Sequence, residues 1–250
     1  MAILYVAAED FELEPFAGLL TGLRKLKWPI KYAFEGIWEG RRVMLAANGS
    51  GPKLATQAVE VAIRAVVAAE LSASKLEAVV STGLCGALVP ALQENQIVVG
   101  TRVLDSETQE TFECARVNAS SEPISGLVLA QDRIAWESAE KERLGNSGAI
   151  AIDMESAGVA RRAQRAGLPF ACIKAVSDRM DESFGFDLNK MRTIEGRIAR
   201  GKISIYAATH PKHIPEVFRL KRRAEDAAKA LGDFLVSCRI SPEPDSARAE

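Results

Sequence analysis

Three acidic residues stand at positions where their carboxyl groups can do acid–base chemistry. Glu12 follows the apolar segment AILYVAA, Glu155 lies within AIDMESAGVA, and Asp178 ends the apolar segment PFACIKAVSD. Cleavage of a glycosidic bond needs one carboxylate to activate water and one acid to protonate the leaving group. Each acid also has a structural explanation, because carboxylates near a helix start satisfy exposed N–H groups and favour the helix dipole. Both interpretations are open at this point.

The elements that carry these acids are predicted from hydrophobic runs separated by segments with helical spacing. Predicted strands occupy residues 2–8, 43–47, part of 75–88, 96–105, the region near 128, and 169–178; predicted helices occupy 11–20, 53–71 and 154–166. This alternation is typical of an α/β fold with a twisted, mostly parallel central sheet flanked by helices. Ligands of such sheets bind beyond the carboxyl ends of the strands, so we expect the three acids at one edge.

Other motifs favour no alternative chemistry. The glycine-rich stretches NGSG and TGLCG match neither a phosphate-binding P-loop nor a dinucleotide-binding fingerprint, and are expected to form tight turns that line a site. His210 and His213 are the only histidines and have no carboxylates at metal-loop spacing, so no metal site is predicted. A Ser-His-Asp triad is not indicated, because the chain contains no GxSxG motif.

Composition indicates a globular chain of one domain. Hydrophobic residues make up 48% of the 250 residues and the formal net charge is −1, which gives no reason to expect a nucleic-acid partner. The four cysteines are widely spaced and form no CxxC pair, which fits a reducing cytoplasm. The start MAILYVAAED has neither a basic residue before its apolar run nor the length of a membrane span. We predict one domain over residues 1–240 and a disordered tail over 241–250, whose composition is SPEPDSARAE.

Three segments together resemble the purine nucleoside phosphorylase and methylthioadenosine/S-adenosylhomocysteine nucleosidase superfamily. They are AAEDFELEPF, STGLCGALVPALQENQIVVG and AIDMESAGVARRAQRAGLPFACIKAVSD. The resemblance implies that Glu155 accepts hydrogen bonds from ribose hydroxyls while Met154 packs under the sugar ring. It implies that Asp178, helped by Ser177, protonates N7 of the departing purine, and that Glu12 activates water. To protonate N7, Asp178 must keep its proton near neutral pH. We expect burial beside another acid to raise its proton affinity in this way.

The resemblance leaves the nucleophile open between water and phosphate. Hexameric phosphorylases bind phosphate through a GDPxR-type turn and through an arginine and a serine near the TGxCG turn, whereas this chain has AAEDFE, Ser81 and Leu84 there. Water is therefore the predicted nucleophile, although a phosphate site built from Arg102 or Arg179 is an alternative. Gly83, Leu84 and Ile134 are the predicted base-side contacts. The nucleosidase branch usually has a serine at the position of Leu84 and an aromatic residue near Ile134 that stacks on the base. Trp136 is a candidate to provide that stacking here.

The C-terminal segment departs from both branches of the superfamily. Residues 186–223 hold ten Lys or Arg against three Asp or Glu. Solvated helix faces are one explanation. The other is the sub-group of hopanoid-associated phosphorylases, which the segment also resembles and whose proposed substrate is an adenosylated triterpenoid; this implies contact with an anionic membrane surface. Phe218, Ala224, Ala227, Ala228, Leu231 and Leu235 predict a final amphipathic helix that packs on the sheet.

The combined prediction is a purine nucleosidase that releases adenine, or another purine, from a 5′-substituted nucleoside, acting in the cytoplasm without a metal or organic cofactor. A purine nucleoside phosphorylase is the first alternative. A module that binds a nucleoside without cleaving it is the second, and the presence of both Glu12 and Asp178 favours an enzyme. The superfamily habit of forming oligomers implies a homodimer.

Overall fold

The computed structural model describes residues 2–68, 76–193, 197 and 199–244. It confirms the predicted α/β class, with a large central sheet covered by helices. The strands are β1 (Ala2–Ala7), β2 (Thr21–Lys25), β3 (Tyr32–Trp38), β4 (Arg41–Ala47), β5 (Leu76–Ser81), β6 (Leu84–Ala87), β7 (Ile97–Asp105), β8 (Thr111–Glu113), β9 (Ala115–Asn118), β10 (Ile124–Ala130), β11 (Ala151–Asp153), β12 (Phe170–Asp178) and β13 (Arg239–Pro244). The α-helices are α1 (Glu14–Ala17), α2 (Pro52–Ala68), α3 (Ser138–Gly145), α4 (Ser156–Arg165), α5 (Arg200–Thr209) and α6 (Ile214–Leu235).

The large sheet is mostly parallel, with antiparallel pairs at both edges and between β6 and β11. Its order is β2-β3-β4-β1-β5-β12-β6-β11-β10-β7-β8. β1 pairs in parallel with β4 and β5, and β12 pairs in parallel with β5 and β6. β12 also pairs antiparallel with β7, so the strands from β12 round to β7 form a closed ring. The antiparallel edges and this closure were not predicted, because hydrophobic runs indicate burial but not strand direction.

Helices cover both faces of the sheet because successive side chains of its buried strands point to opposite sides. On one face Leu4 and Val6 of β1 lie in the same apolar cluster as the buried side of α2 and α4. On the other face Ile3 and Tyr5 lie in the same cluster as Phe16 and the buried side of α6. This arrangement leaves the carboxyl ends of the central strands open for a ligand. No helix among the described residues is long and apolar enough to cross a membrane.

Several predicted boundaries are wrong. The helix predicted over 11–20 is a 3-10 turn at Asp10–Glu12 followed by one turn of α1, and α4 begins at Ser156 instead of residue 154. The disorder predicted from residue 241 is contradicted as far as Pro244, because β13 pairs with β9; residues 245–250 lie outside the described residues. Helix α6 is confirmed, but Phe218, predicted to pack on the sheet, is 67% exposed.

Candidate active site

A cleft of about 320 Å³ opens at the carboxyl ends of β1, β11 and β12. Ligand pockets usually have volumes of about 300–1,000 Å³, so this cleft suits a small molecule. The three predicted acids, Glu12, Glu155 and Asp178, all line it. Its other lining residues are Ala8, Glu9, Phe11, Ser50, Leu84, Cys85, Gly86, Arg133, Ile134, Ala135, Ile152, Asp153, Met154, Ser177, Phe184, Leu188, Leu220 and Ala224.

Glu12 is a buried carboxylate held by two backbone amides. Its Oε2 accepts from Glu9 N at 2.8 Å and its Oε1 accepts from Leu84 N at 3.2 Å. Burial raises the pKa of Glu12 above its ordinary value, while these backbone hydrogen bonds and the charge of Lys174 oppose the rise. Gly83, at φ +111°, lies against this carboxylate, and a Cβ there would stand 3.0 Å from Oε1. The turn therefore requires glycine, and it brings the backbone close enough to fix Glu12.

The two acids of the Asp-Met-Glu segment, Asp153 and Glu155, have different hydrogen-bond partners. Asp153 takes the structural part, because its Oδ2 accepts from Ser156 N at 3.0 Å at the start of α4. Glu155 is turned away from the helix end, and its Oε1 accepts from Gly51 N at 2.8 Å. Both Met154 and Glu155 line the cleft. Asp153 thus has the structural role that an acid at a helix start can take, whereas Glu155 lies at the cleft and hydrogen-bonds a turn amide.

Lys174 supplies a positive charge behind these acids. Its side chain is fully buried, its Nζ lies 2.6 Å from Asp153 Oδ2, and it donates to Thr82 O at 2.8 Å. Burial disfavours the charge on Lys174, but Asp153, Cys172 and Glu155 together outweigh burial and raise the lysine's pKa. Burial raises the pKa of Glu155 to about 8 in spite of Lys174, and the charges of Asp153 and Glu12 add to the rise. Lys174 was not predicted, because a lysine inside an apolar strand gives no signal of its partner.

Asp178 is held from two sides at the end of β12. Its Oδ1 accepts from Ser177 Oγ at 2.7 Å, and its Oδ2 forms a buried ion pair with Lys141 Nζ of α3. The predicted second acid beside Asp178 is therefore wrong, since the neighbouring charged group is an ammonium. Gly86 of β6 backs the carboxylate, because a Cβ on that glycine would stand 3.0 Å from Oδ2. Lys141 was missed because SAEKERLG has the composition of a solvated helix.

Part of the cleft lining is a loop fixed by an amide side chain. Ile134 N donates to Asn189 Oδ1 at 2.8 Å, and Asn189 Nδ2 donates to Ile134 O at 3.0 Å. Ile134 lines the cleft as predicted, whereas Trp136 is not among its lining residues. The buried aromatic ring in this part of the cleft is Phe184, whose N donates to Trp136 O at 2.9 Å.

Some of the remaining predicted residues line the cleft and others do not. Leu84 and Ser177 line it, while Gly83 is behind Glu12 and not among the lining residues. Arg179 pairs with Asp181, Arg102 is an exposed residue of β7, and neither lines the cleft. The described part of the chain contains no group of three metal-ligating side chains.

The chain matches a family model and a relative in sequence. A family model described as the Phosphorylase superfamily matches residues 113–203. The 5′-methylthioadenosine/S-adenosylhomocysteine nucleosidase of Actinobacillus succinogenes is 26% identical over 227 residues, which is 79% of this chain and 94% of the relative.

Two solved structures from Helicobacter pylori share the fold. Futalosine hydrolase superposes with a TM-score of 0.68 at 18% identity, covering 94% of this chain and 95% of that chain. The 5′-methylthioadenosine/S-adenosylhomocysteine nucleosidase bound to butyl-thio-DADMe-Immucillin-A superposes with a TM-score of 0.67 at 17% identity, covering 94% and 96%. The segment that matches the family model includes Glu155 and Asp178, and the two solved structures share the fold of this chain.

Proposed function

We propose that this protein is a purine nucleosidase that hydrolyses the N-glycosidic bond of a 5′-substituted nucleoside. The observation that carries the proposal is that Glu12, Glu155 and Asp178, three of the buried acids lining one cleft, each have different partners. Glu155 hydrogen-bonds a turn amide, Glu12 is held by two amides, and Asp178 lies between a hydroxyl and an ammonium. Different surroundings allow chemically similar groups to take separate roles in one reaction.

The proposed mechanism assigns one role to each carboxyl group. Glu155 binds the ribose hydroxyls through Oε2, since Oε1 is occupied by Gly51 N. Glu12 takes a proton from a water molecule as that water attacks C1′. Asp178, which pairs with Lys141 as a carboxylate, takes up a proton from solvent when the nucleoside binds, and it gives that proton to N7 while the C1′–N9 bond breaks and the electron pair of that bond passes to the purine. Water thus supplies the new C1′ hydroxyl, and the proton taken up by Glu12 restores the proton lost from Asp178.

Water is favoured over phosphate because of the charges around the cleft. Among the described residues that line it, Arg133 is the one guanidinium, and it pairs with Glu140 at 2.9 Å. A phosphate dianion is usually bound by several guanidinium groups or backbone amides. Here it would instead meet Glu12 and Glu155. Phosphorolysis is accordingly the second candidate.

The cleft favours an apolar 5′ substituent and an aromatic base. Phe11, Leu188 and Leu220 line it with apolar side chains, and Phe184 offers a buried ring near Asp178. The relatives named above include proteins called methylthioadenosine/S-adenosylhomocysteine nucleosidase, which supports adenine as the released base. We assign Phe184 the base contact for which Trp136 was the predicted substitute.

The experiment is release of free base from methylthioadenosine, S-adenosylhomocysteine, adenosine and inosine, each with and without phosphate. We expect adenine release that does not depend on phosphate and is lost in Asp178→Asn. Release only in the presence of phosphate would establish a phosphorylase. Binding of these nucleosides without release of base would establish a binding module and overturn the proposal.

A second proposal concerns the basic C-terminal segment, which we propose contacts an anionic membrane surface. Phe218 is 67% exposed, and Lys221 and Arg222 follow at the helical spacings that put them on its face of α6. Each basic residue near an anionic bilayer contributes about 1 kcal/mol of attraction. We expect sedimentation with phosphatidylserine vesicles at low salt, weakened in Phe218→Ser. Equal recovery in the supernatant with anionic and neutral vesicles would refute this contact.

A homodimer and a cytoplasmic location are further proposals that rest on the resemblance. Analytical ultracentrifugation of the full chain tests the dimer. A single species of about 27 kDa, the mass of one chain, would contradict it.

A further inference from the structure

The buried ammonium of Lys141 has no part in the mechanism above. Its side chain is 0% exposed, and its three N–H groups are directed at Asp178 Oδ2, Arg179 O at 2.8 Å and Glu182 O at 3.1 Å. Nζ also lies 5.1 Å from the centre of the Phe184 ring. Lys141 therefore contacts two residues that line the cleft, Asp178 and Phe184, from behind.

Core packing alone does not explain this lysine. Burying an ion pair removes two charges from water, and apolar residues of the same volume often stabilise a fold as well or better. Lys141 instead gathers the segment that follows β12 around one cation, since it binds Asp178 and two carbonyls within the next four residues. Gly86 and Ser177 complete the enclosure of the carboxylate.

We propose that Lys141 is a positioning residue that acts through Asp178 on the departing base. The inference rests on the proposed function. Lys141 fixes Oδ2, and its ammonium stabilises the negative charge that appears on the carboxylate when the Asp178 proton passes to N7. Lys141 keeps its own proton throughout this step. An interaction that becomes stronger as charge develops stabilises the transition state more than the bound substrate and so accelerates the reaction. An interaction that stabilises both equally does not raise kcat.

Other charged groups near the pair are engaged elsewhere. Asp181, in the loop after β12, pairs with Arg179 at 2.9 Å, and the Glu182 carboxylate is bound by Arg223 of α6 at 2.7 Å. Glu140, which precedes Lys141 on α3, pairs with Arg133 at the cleft. Lys141 is thus the cation that contacts Asp178 among the described residues.

The first test is a double-mutant cycle in kcat with Lys141→Met, Asp178→Asn and the double variant. If Lys141 acts through Asp178, Lys141→Met lowers kcat about 100-fold in the wild-type background, a typical effect for one electrostatic group. It then has almost no further effect in the Asp178→Asn background, because residues that act as a unit are not additive. Lys141→Arg retains a cation and restores most of the rate. Arg143→Met, which removes an exposed cation from the same helix, is the matched control and leaves kcat unchanged.

The second test uses a nucleoside methylated at N7, whose base already carries a positive charge and leaves without a proton. We expect Lys141→Met to lower kcat strongly for the unmethylated nucleoside and only slightly for its 7-methyl derivative. Equal losses on the two substrates, or losses that multiply in the double variant, would overturn the role of Lys141 while leaving the nucleosidase proposal intact. If Lys141→Met does not fold, Lys141→Gln, which keeps an N–H donor for Oδ2, replaces it in both tests.

If the wild-type protein cleaves no purine nucleoside, the proposed function itself is wrong. The same cycle is then measured as adenine affinity by calorimetry. Additive losses of affinity there would contradict the coupling between Lys141 and Asp178.

Discussion

Glu155→Gln is predicted to remove a pH dependence of folding stability that the wild-type protein shows near neutrality. Burial raises the pKa of Glu155 from an ordinary value of 4.5 to about 8 in the folded protein. Between these two values the folded state holds a proton on Glu155 and the unfolded state does not. Stability therefore falls as pH rises through this interval, because the unfolded state binds fewer protons.

The magnitude follows from the same two values. A tenfold change in proton affinity is worth about 1.4 kcal/mol, so Glu155 lowers the free energy of unfolding by about 1.4 kcal/mol for each pH unit between about 5 and 8. In total Glu155 contributes about 5 kcal/mol to the free energy of unfolding. This contribution is fully present below pH 4.5 and is lost by about pH 9. Glutamine resembles the protonated acid and keeps an oxygen for Gly51 N, so the variant has no such loss.

The assay is urea unfolding at pH 5.5, 6.5 and 7.5, followed by tryptophan fluorescence. The difference between variant and wild type is the informative quantity, because Glu12, whose pKa burial also raises, gives a slope of the same sign in both proteins. The lowered pKa values of Asp105 and Glu182 act at more acidic pH, since stability from such groups is lost only as pH falls below about 4.5. Glu142→Gln, at an exposed position of α3, is the matched control. The same slope in Glu155→Gln as in wild type would refute the reasoning.

Three further substitutions test the parts of the site separately. Glu12→Gln is expected to lower kcat about 100- to 10,000-fold, the usual contribution of a general base, while adenine affinity measured by calorimetry stays the same; a large loss of affinity would show that Glu12 mainly binds. Gly83→Ala is expected to destabilise the fold by about 1–3 kcal/mol in thermal unfolding, because alanine at φ +111° is strained and its Cβ meets Glu12 at 3.0 Å; an unchanged melting temperature contradicts this. Asn189→Ala leaves two backbone groups of Ile134 without their partner and is expected to raise KM about tenfold with little change in kcat, since the hydrogen bonds lost are worth about 1–3 kcal/mol; an unchanged KM would mean that Asn189 does not organise this side of the cleft.

The sequence predicts the acids of the site better than their surroundings. Glu12, Glu155 and Asp178 were predicted to meet at one edge of the sheet, and they line one cleft, because apolar strands are recognisable in sequence and the residues after parallel strands lie together. Lys141 and Lys174 were not found, because a lysine in a polar helix or in a strand carries no sign that it will be buried against an acid. Pairing partners come from distant parts of the chain, and local pattern contains no information about them.

The same limit explains the errors in the fold. The tail was predicted to be disordered from its polar composition, yet β13 continues to Pro244 because β9 provides a partner strand. Phe218 follows the apolar spacing of α6, but the sheet contacts the helix nearer its C-terminal end, where Ala227, Leu231 and Leu235 are buried. Periodicity identifies the face of a helix that can be buried, and tertiary contacts decide how much of that face is covered.

The most direct test of the nucleosidase proposal is the origin of the oxygen on the released sugar. Cleavage of methylthioadenosine in ¹⁸O-water, followed by mass spectrometry of the sugar product, should give free adenine and a sugar that has gained one ¹⁸O at C1. The label should be absent in Glu12→Gln incubated for the same time. A sugar 1-phosphate as the first product, or no cleavage by a protein that binds the nucleoside, would contradict water attack assisted by Glu12 and Asp178.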